Sequence, residues 1–240
     1  LGAWSRIHRP TTFALMKLVL NAILMSFLSL LFGACSAVTP LQGEDRSSQL
    51  PLIDLRLDVD GVPGGGFVAV RGTSGEGKDE QVLDGSEVVQ LKNGTQINGP
   101  ADLALDFQVR QLQLAVGLAM VEETFTLDGF VGLERTFTKV NIDTGGPPND
   151  QTAESTGLLL GLRLDYPFQS HWNFDMRATV GVPLGDDIAT QTVSLLLAFR
   201  PLEHLRLQAG FIDIETVETT VGSDVELAVG GLAFGLALDL

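Results

Sequence analysis

Between Gly157 and Val182 the chain reads GLLLGLRLDYPFQSHWNFDMRATVGV, with apolar residues at every second position. Leu158, Leu160, Leu162, Leu164 and Tyr166 share one face. After PFQSH the pattern resumes with Trp172, Phe174, Met176, Ala178, Val180 and Val182. The opposite face carries Gly161, Arg163, Asp165, Asn173, Asp175 and Arg177. A period of two is the signature of a strand, and from Pro51 onward it prevails over any 3.6-residue stripe. LIDLRLDVD repeats it, with Ile53, Leu55, Leu57 and Val59 against Asp54, Arg56, Asp58 and Asp60. Similar patterns fall near 102–120, 125–140, 156–166, 172–182, 189–200, 204–215 and 225–240, which with 52–60 predicts eight strands. The segment 102–120 changes phase near Arg110-Gln111, as a bulged strand or two strands would. Within 66–92, GFVAV and EVVQL are weaker and suit a small hairpin inside a loop.

The connections differ in length. PFQSH (167–171) and PLE (201–203) are short, whereas 61–101 and 143–155 are long and rich in turn-formers. Short turns alternating with longer polar loops, on strands of 9–16 residues, is the plan of an antiparallel up-and-down transmembrane β-barrel. An eight-stranded barrel has an interior that side chains fill. The leucine faces would then meet acyl chains. Asp54, Arg56, Asp58, Arg163, Asp165, Asp175, Arg177 and Arg206 would form a paired charge network inside, since buried charge persists only when paired. The competing possibility is a set of solvated charges on a soluble sheet. Charge pairing favours a 157–182 hairpin in which Arg163 faces Asp175, Asp165 faces Asn173 and Gly161 faces Arg177, because a two-residue slip would oppose like charges.

The N-terminal segment reads as an address. Met16-Lys17 precedes the apolar run Leu18–Phe32 and the small residues around Cys35, the layout of a secretory signal peptide that starts at Met16. LFGAC resembles a bacterial lipoprotein signal, with Cys35 as the lipidated residue; cleavage near Ser36 or Ala37 is the alternative. Residues 36–50 suit a polar tether. Cys35 is the single cysteine, so no internal disulfide exists. The formal charge is −15, and every acid lies after Gly43. Such a surface repels nucleic acid.

The last stretch, GGLAFGLALDL, alternates Leu232, Phe234, Leu236, Leu238 and Leu240 with smaller residues. Gly235, Leu238 and Leu240 resemble the C-terminal signal read by the barrel-assembly machinery. With FRPLEHLRLQAGF (199–211), residues 51–240 resemble small outer-membrane β-barrels of the OmpA/OmpX type. That resemblance implies an outer-membrane location in a Gram-negative cell, with membrane lipids and lipopolysaccharide as surroundings. It leaves activity open.

Chemistry beyond this is sparse. His171 and His204, the histidines after the signal, sit at short turns without the His-x-Ser pattern of a lipid-A deacylase group. No two-histidine metal spacing occurs, GVPGGG (61–66) lacks the features of a phosphate loop, and the acidic loops lack calcium-loop order. No cofactor is expected. The leading expectation is a non-enzymatic outer-membrane barrel with a structural or loop-borne binding role. The alternatives are a lipid-anchored periplasmic barrel holding an apolar ligand between inward leucines, and a lipid-A-modifying enzyme.

Overall fold

A computed structural model describes residues 41–240 except 60, 63–64, 92–93, 122–123, 146–148, 186–187 and 221–222. The signal segment and Cys35 lie outside the described residues. The fold is all-β. Its strands are β1 (Leu41–Val59), β2 (Gly66–Leu83), β3 (Val88–Gln90), β4 (Gln96–Asn98), β5 (Ala101–Val121), β6 (Thr126–Asp143), β7 (Asn149–Gln169), β8 (Trp172–Pro183), β9 (Ile188–Leu202), β10 (Leu205–Thr220) and β11 (Ser223–Asp239). Nine of them close a barrel in the order β1-β11-β10-β9-β8-β7-β6-β5-β2, and β3–β4 is a separate hairpin.

The ninth wall strand is β2, which lies inside the expected 61–101 loop. Its sequence GFVAVRGTSGEGKDEQVL hides it, because Gly75 and Gly77 occupy bore-facing positions where apolar side chains would normally mark a strand. A Cβ on Gly75 would lie 2.4 Å from Val229, and one on Gly77 would lie 2.6 Å from Phe107. Large residues of neighbouring strands fill the space that these glycines leave. GFVAV and EVVQL do not form the expected hairpin: GFVAV opens the wall strand β2, and EVVQL supplies β3, which pairs with β4 instead. The 143–155 loop is also shorter than expected, since β7 begins at Asn149.

From Leu41 on, the expected tether is likewise part of the wall, and its residues 36–40 lie outside the described residues. Leu41–Leu50 form the first half of β1, paired in parallel with β11 from Leu41↔Val225 to Arg56↔Asp239. Leu41 and Leu50 are fully buried in the bore, which is what binds this polar-looking segment to the sheet. A register shift between Asp45 and Ser48 changes which parity faces inward. It is accommodated at Gly231, with φ of 148°, where a Cβ would lie 2.0 Å from the Ser48 carbonyl oxygen. On its other side β1 pairs with β2 only from Leu52↔Thr73 to Val59↔Gly66. Pro51 has no N–H to continue that ladder. Beyond it, side chains bridge the two strands. The Gln42 N–H donates to Gln81 Oε1 (3.1 Å), the Glu44 N–H to Asp79 Oδ2 (2.9 Å) and the Lys78 N–H to Asp45 Oδ2 (3.1 Å).

The phase change near Arg110-Gln111 is neither a bulge nor a strand break. β5 runs unbroken from Ala101 to Val121, with continuous register to both neighbours. What changes is polarity. On the outer face Asp102, Asp106 and Arg110 give way to Leu112, Leu114, Val116, Leu118 and Met120; on the inner face Leu103, Leu105, Phe107 and Val109 give way to Gln111 and Gln113. β6 and β7 invert at the same height, between Arg135 and Leu133 and between Thr156 and Leu158.

The barrel therefore has two zones. At the end with connections 60–65, 122–125, 170–171 and 203–204, the short-turn end because the one long connection, 84–100, lies at the other, the wall is apolar outside and charged inside. At the other end the wall is polar outside, and its bore holds an apolar core that includes Leu41, Leu50, Leu105, Phe107, Ile142, Ile212 and Ile214. The β3–β4 hairpin covers that core, with Val89 and Leu91 buried in it and Ile97 packed against it.

The β7–β8 register also differs from the charge-based expectation. Arg163 lies opposite Arg177, Asp165 opposite Asp175 and Tyr166 opposite Phe174. The turn is only Ser170-His171, and a register shift between Pro167 and Gln169 absorbs the extra residue. Like charges can stand opposite here because each finds its counter-ion diagonally or across the bore.

Candidate functional site: the charged bore and its open mouth

The inward positions of the apolar-walled zone hold seven of the eight residues of the expected network, and Asp58, 64% exposed, lies at its rim beside Arg56. Arg163 lies at its centre, donating to Asp175 Oδ2 through Nη2 (2.6 Å) and Nε (2.9 Å), with Asp165 at 3.2 Å and Asp128 at 3.4 Å. Arg206 reaches Asp239 (2.7 Å), Asp165 (3.3 Å) and Asp175 (3.6 Å). Arg56 holds Asp58 at 2.7 Å and also contacts Asp128. Arg177 pairs with Asp54 across the bore at 3.6 Å. Asn173, the expected partner of Asp165, donates to it at 2.5 Å. Two guanidinium groups also lie over aromatic rings, Arg56 over Phe67 at 4.0 Å and Arg177 over Phe130 at 4.5 Å.

Three members escaped the sequence reading: Arg71, Asp128 and Asp239. Arg71 donates across the bore to Ser194 Oγ (3.1 Å). Above this network lies a layer of uncharged donors and acceptors around one acid. Glu134 accepts from Gln113 (2.7 Å), from Thr136 (3.1 Å) and from Thr190, and Thr192 donates to Gln111 (3.0 Å). Charged, hydroxylic and apolar layers thus succeed one another along the bore. Paired charge at this burial is costly to break from one side.

The network opens at the short-turn end into a recess of about 540 Å³, lined by Arg56, Asp58, Asp128, Arg163, Asp165, Arg200, Glu203, His204, Arg206 and Asp239, among others. His204 stands on its rim. His171 sits at the neighbouring turn, its ring 6.4 Å from that of Phe199. The C-terminal residues complete the same rim. Leu238 and Leu240 are exposed, and a Cβ on Gly235 would lie 2.3 Å from the Leu52 carbonyl oxygen. The last residue extends the parallel seam, since the Leu240 N–H donates to the Arg56 carbonyl (2.8 Å) and its own carbonyl accepts from the Asp58 N–H (3.1 Å).

On the outer face of the polar-walled zone, Arg46 sits between Glu44 (3.1 Å), Asp213 (3.8 Å) and Glu215 (3.8 Å). Burial pushes the Asp213 and Glu215 carboxyls up, further than Arg46 draws them down. The folded chain therefore keeps protons that the unfolded chain has released above about pH 4. This contribution to stability is present at low pH and is lost as pH rises through the raised folded values. The urea midpoint of the parent should gain on going from pH 7 to pH 5 relative to that of Glu215→Gln; equal pH profiles would contradict this.

No protein-family model matches the chain, and no curated protein or solved structure matches it significantly, so the geometry of the barrel carries the functional reading by itself.

Proposed function

We propose that the chain is a non-enzymatic outer-membrane β-barrel, closed by its own side chains, with its short-turn zone in the bilayer and its polar-walled zone standing clear of it as a binding or structural surface. The observation that carries this reading is the exposed apolar belt. Ile53, Val116, Leu133, Leu160, Met176, Leu195, Phe211 and Phe234 are each 42–60% exposed, and they come from eight different wall strands. An apolar surface that encircles a molecule far exceeds the patches of a few hundred Å² that soluble monomers expose.

Dimensions agree with the division. The 21 residues of β5 rise roughly 50 Å along the axis at a tilt of about 40°. A hydrocarbon layer of about 25–30 Å accounts for half of that, and the polarity inverts halfway. Aromatic rings gather at the short-turn edge, where Phe168 stacks on Phe174 and Trp172 meets Phe199, both at 4.8 Å. Such rings favour the membrane interface. The surroundings on this reading are outer-membrane lipids and lipopolysaccharide, and insertion would use the barrel-assembly machinery.

The periplasmic alternative needs its leucines inside. Leu158 and Leu160 face outward, so the geometry does not favour it. The test is a urea- and carbonate-washed outer-membrane fraction from cells expressing the chain from Met16, run unheated and boiled on SDS gels. A retained band that shifts on boiling is the expected result. Release by carbonate with no shift would overturn the proposal.

A further inference from the structure

We infer that the two ends of the barrel wall, Leu41 and Leu240, lie on opposite sides of the membrane, with the amino-terminal side outermost. This inference rests on the membrane reading above. Bacterial single-chain barrels with an even number of antiparallel strands return both ends to one side. Here the wall has nine strands, and the odd one is reconciled by parallel closure of β1 on β11. Both strands start at the capped, polar-walled end and finish at the short-turn end. The pairing extends over most of β1, from Leu41↔Val225 to Arg56↔Asp239, and past it through the two hydrogen bonds of Leu240. Leu41 is held at its end by full burial in the apolar core under the β3–β4 hairpin.

In such barrels short turns face the periplasm. Their long connections face outward; here the one long connection, 84–100 with the β3–β4 hairpin, lies on the rim of Leu41, while 144–148, 184–187 and 221–222 on that rim are as short as the connections on the rim of Leu240, so Leu41 belongs to the outer rim. The capping hairpin, the bridged β1–β2 gap and Leu41 make up one outward-facing end. A binding partner outside the cell would meet the hairpin and the Leu41 end of β1, and Leu240 would be hidden from it.

The test compares single cysteines in a Cys35→Ser background, Gln42→Cys at the capped end and Glu203→Cys at the short-turn end, labelled on intact cells with a membrane-impermeant maleimide. Gln42→Cys should label at least tenfold more than Glu203→Cys, and the two should label alike after permeabilisation. Epitope tags placed between Pro40 and Leu41 and after Leu240 keep the comparison available if Cys35→Ser blocks export. Equal labelling of both ends on intact cells, in protein that still shifts on boiling, would overturn this inference alone. Labelling of the C-terminal end only would keep the ends apart and overturn the assignment of sides. Protein that shows no shift and leaves with carbonate would remove the membrane reading and this inference with it.

Discussion

Arg163→Leu should cost about 3–5 kcal/mol of stability, the range for stripping one partner from a buried ion pair. Arg163 touches Asp128, Asp165 and Asp175, and Asp128 and Asp175 are almost wholly buried. Leucine fills part of the volume but leaves those carboxylates short of a cation. Arg206 still reaches Asp165 and Asp175, which sets the lower end of the range. The double variant Arg163→Leu with Asp175→Leu should regain a substantial part of the loss, because the desolvated charge disappears along with its partner. Urea midpoints of the refolded protein in detergent, read by the unheated-gel shift, measure both. If Arg163→Leu moved the midpoint by less than the equivalent of about 1 kcal/mol, the network would be incidental to stability.

The second large effect separates lipid from water on one face of one strand. Val116 and Ala104 both point outward from β5. Val116 lies mid-belt, opposite Val131 and Val68. Ala104 lies in the polar zone, opposite Asp143 and Glu80. Arginine at a lipid-facing midplane position costs about 2–4 kcal/mol. On a wetted surface with acids on both sides it should be neutral within about 0.5 kcal/mol. Val116→Arg should therefore unfold at clearly lower urea in lipid vesicles, and Ala104→Arg should not. Equal, small effects at both positions would mean that the belt sits in water and that the membrane proposal is wrong.

Eight of the nine wall strands are legible as alternation, because each carries apolar residues on one face over at least part of its length. β2 is not. Its signal is divided between strands, with glycine at 75 and 77 and the bulk supplied by Val229 and Phe107. Only GFVAV at its start looks strand-like, and the rest of the strand carries no apolar pattern of its own. Arg71 was lost with β2. Asp128 and Asp239 were recoverable, since parity counted from outward Val131 or Leu238 places both inside. The β7–β8 register departs from expectation for a different reason. Direct opposition is not a sufficient test of charge pairing, because the Arg163 guanidinium on its long side chain reaches Asp175 diagonally. The false bulge at Arg110-Gln111 arose from assuming that each face of a strand keeps one solvent throughout. In β5 each face has two.

That inversion also bears on how the chain can change length. Loss or gain of one residue within β5, β6 or β7 would flip every side chain beyond it to the other face. Because both zones share a single unbroken strand, a deletion near the middle would turn either the charged layer toward lipid or the apolar core toward water, and no position between the two would be neutral. Indels in these strands are tolerable only in pairs, or beside a compensating irregularity such as the one at Asp45–Ser48 opposite Gly231. Drift in length is thereby confined to the turns at the two rims.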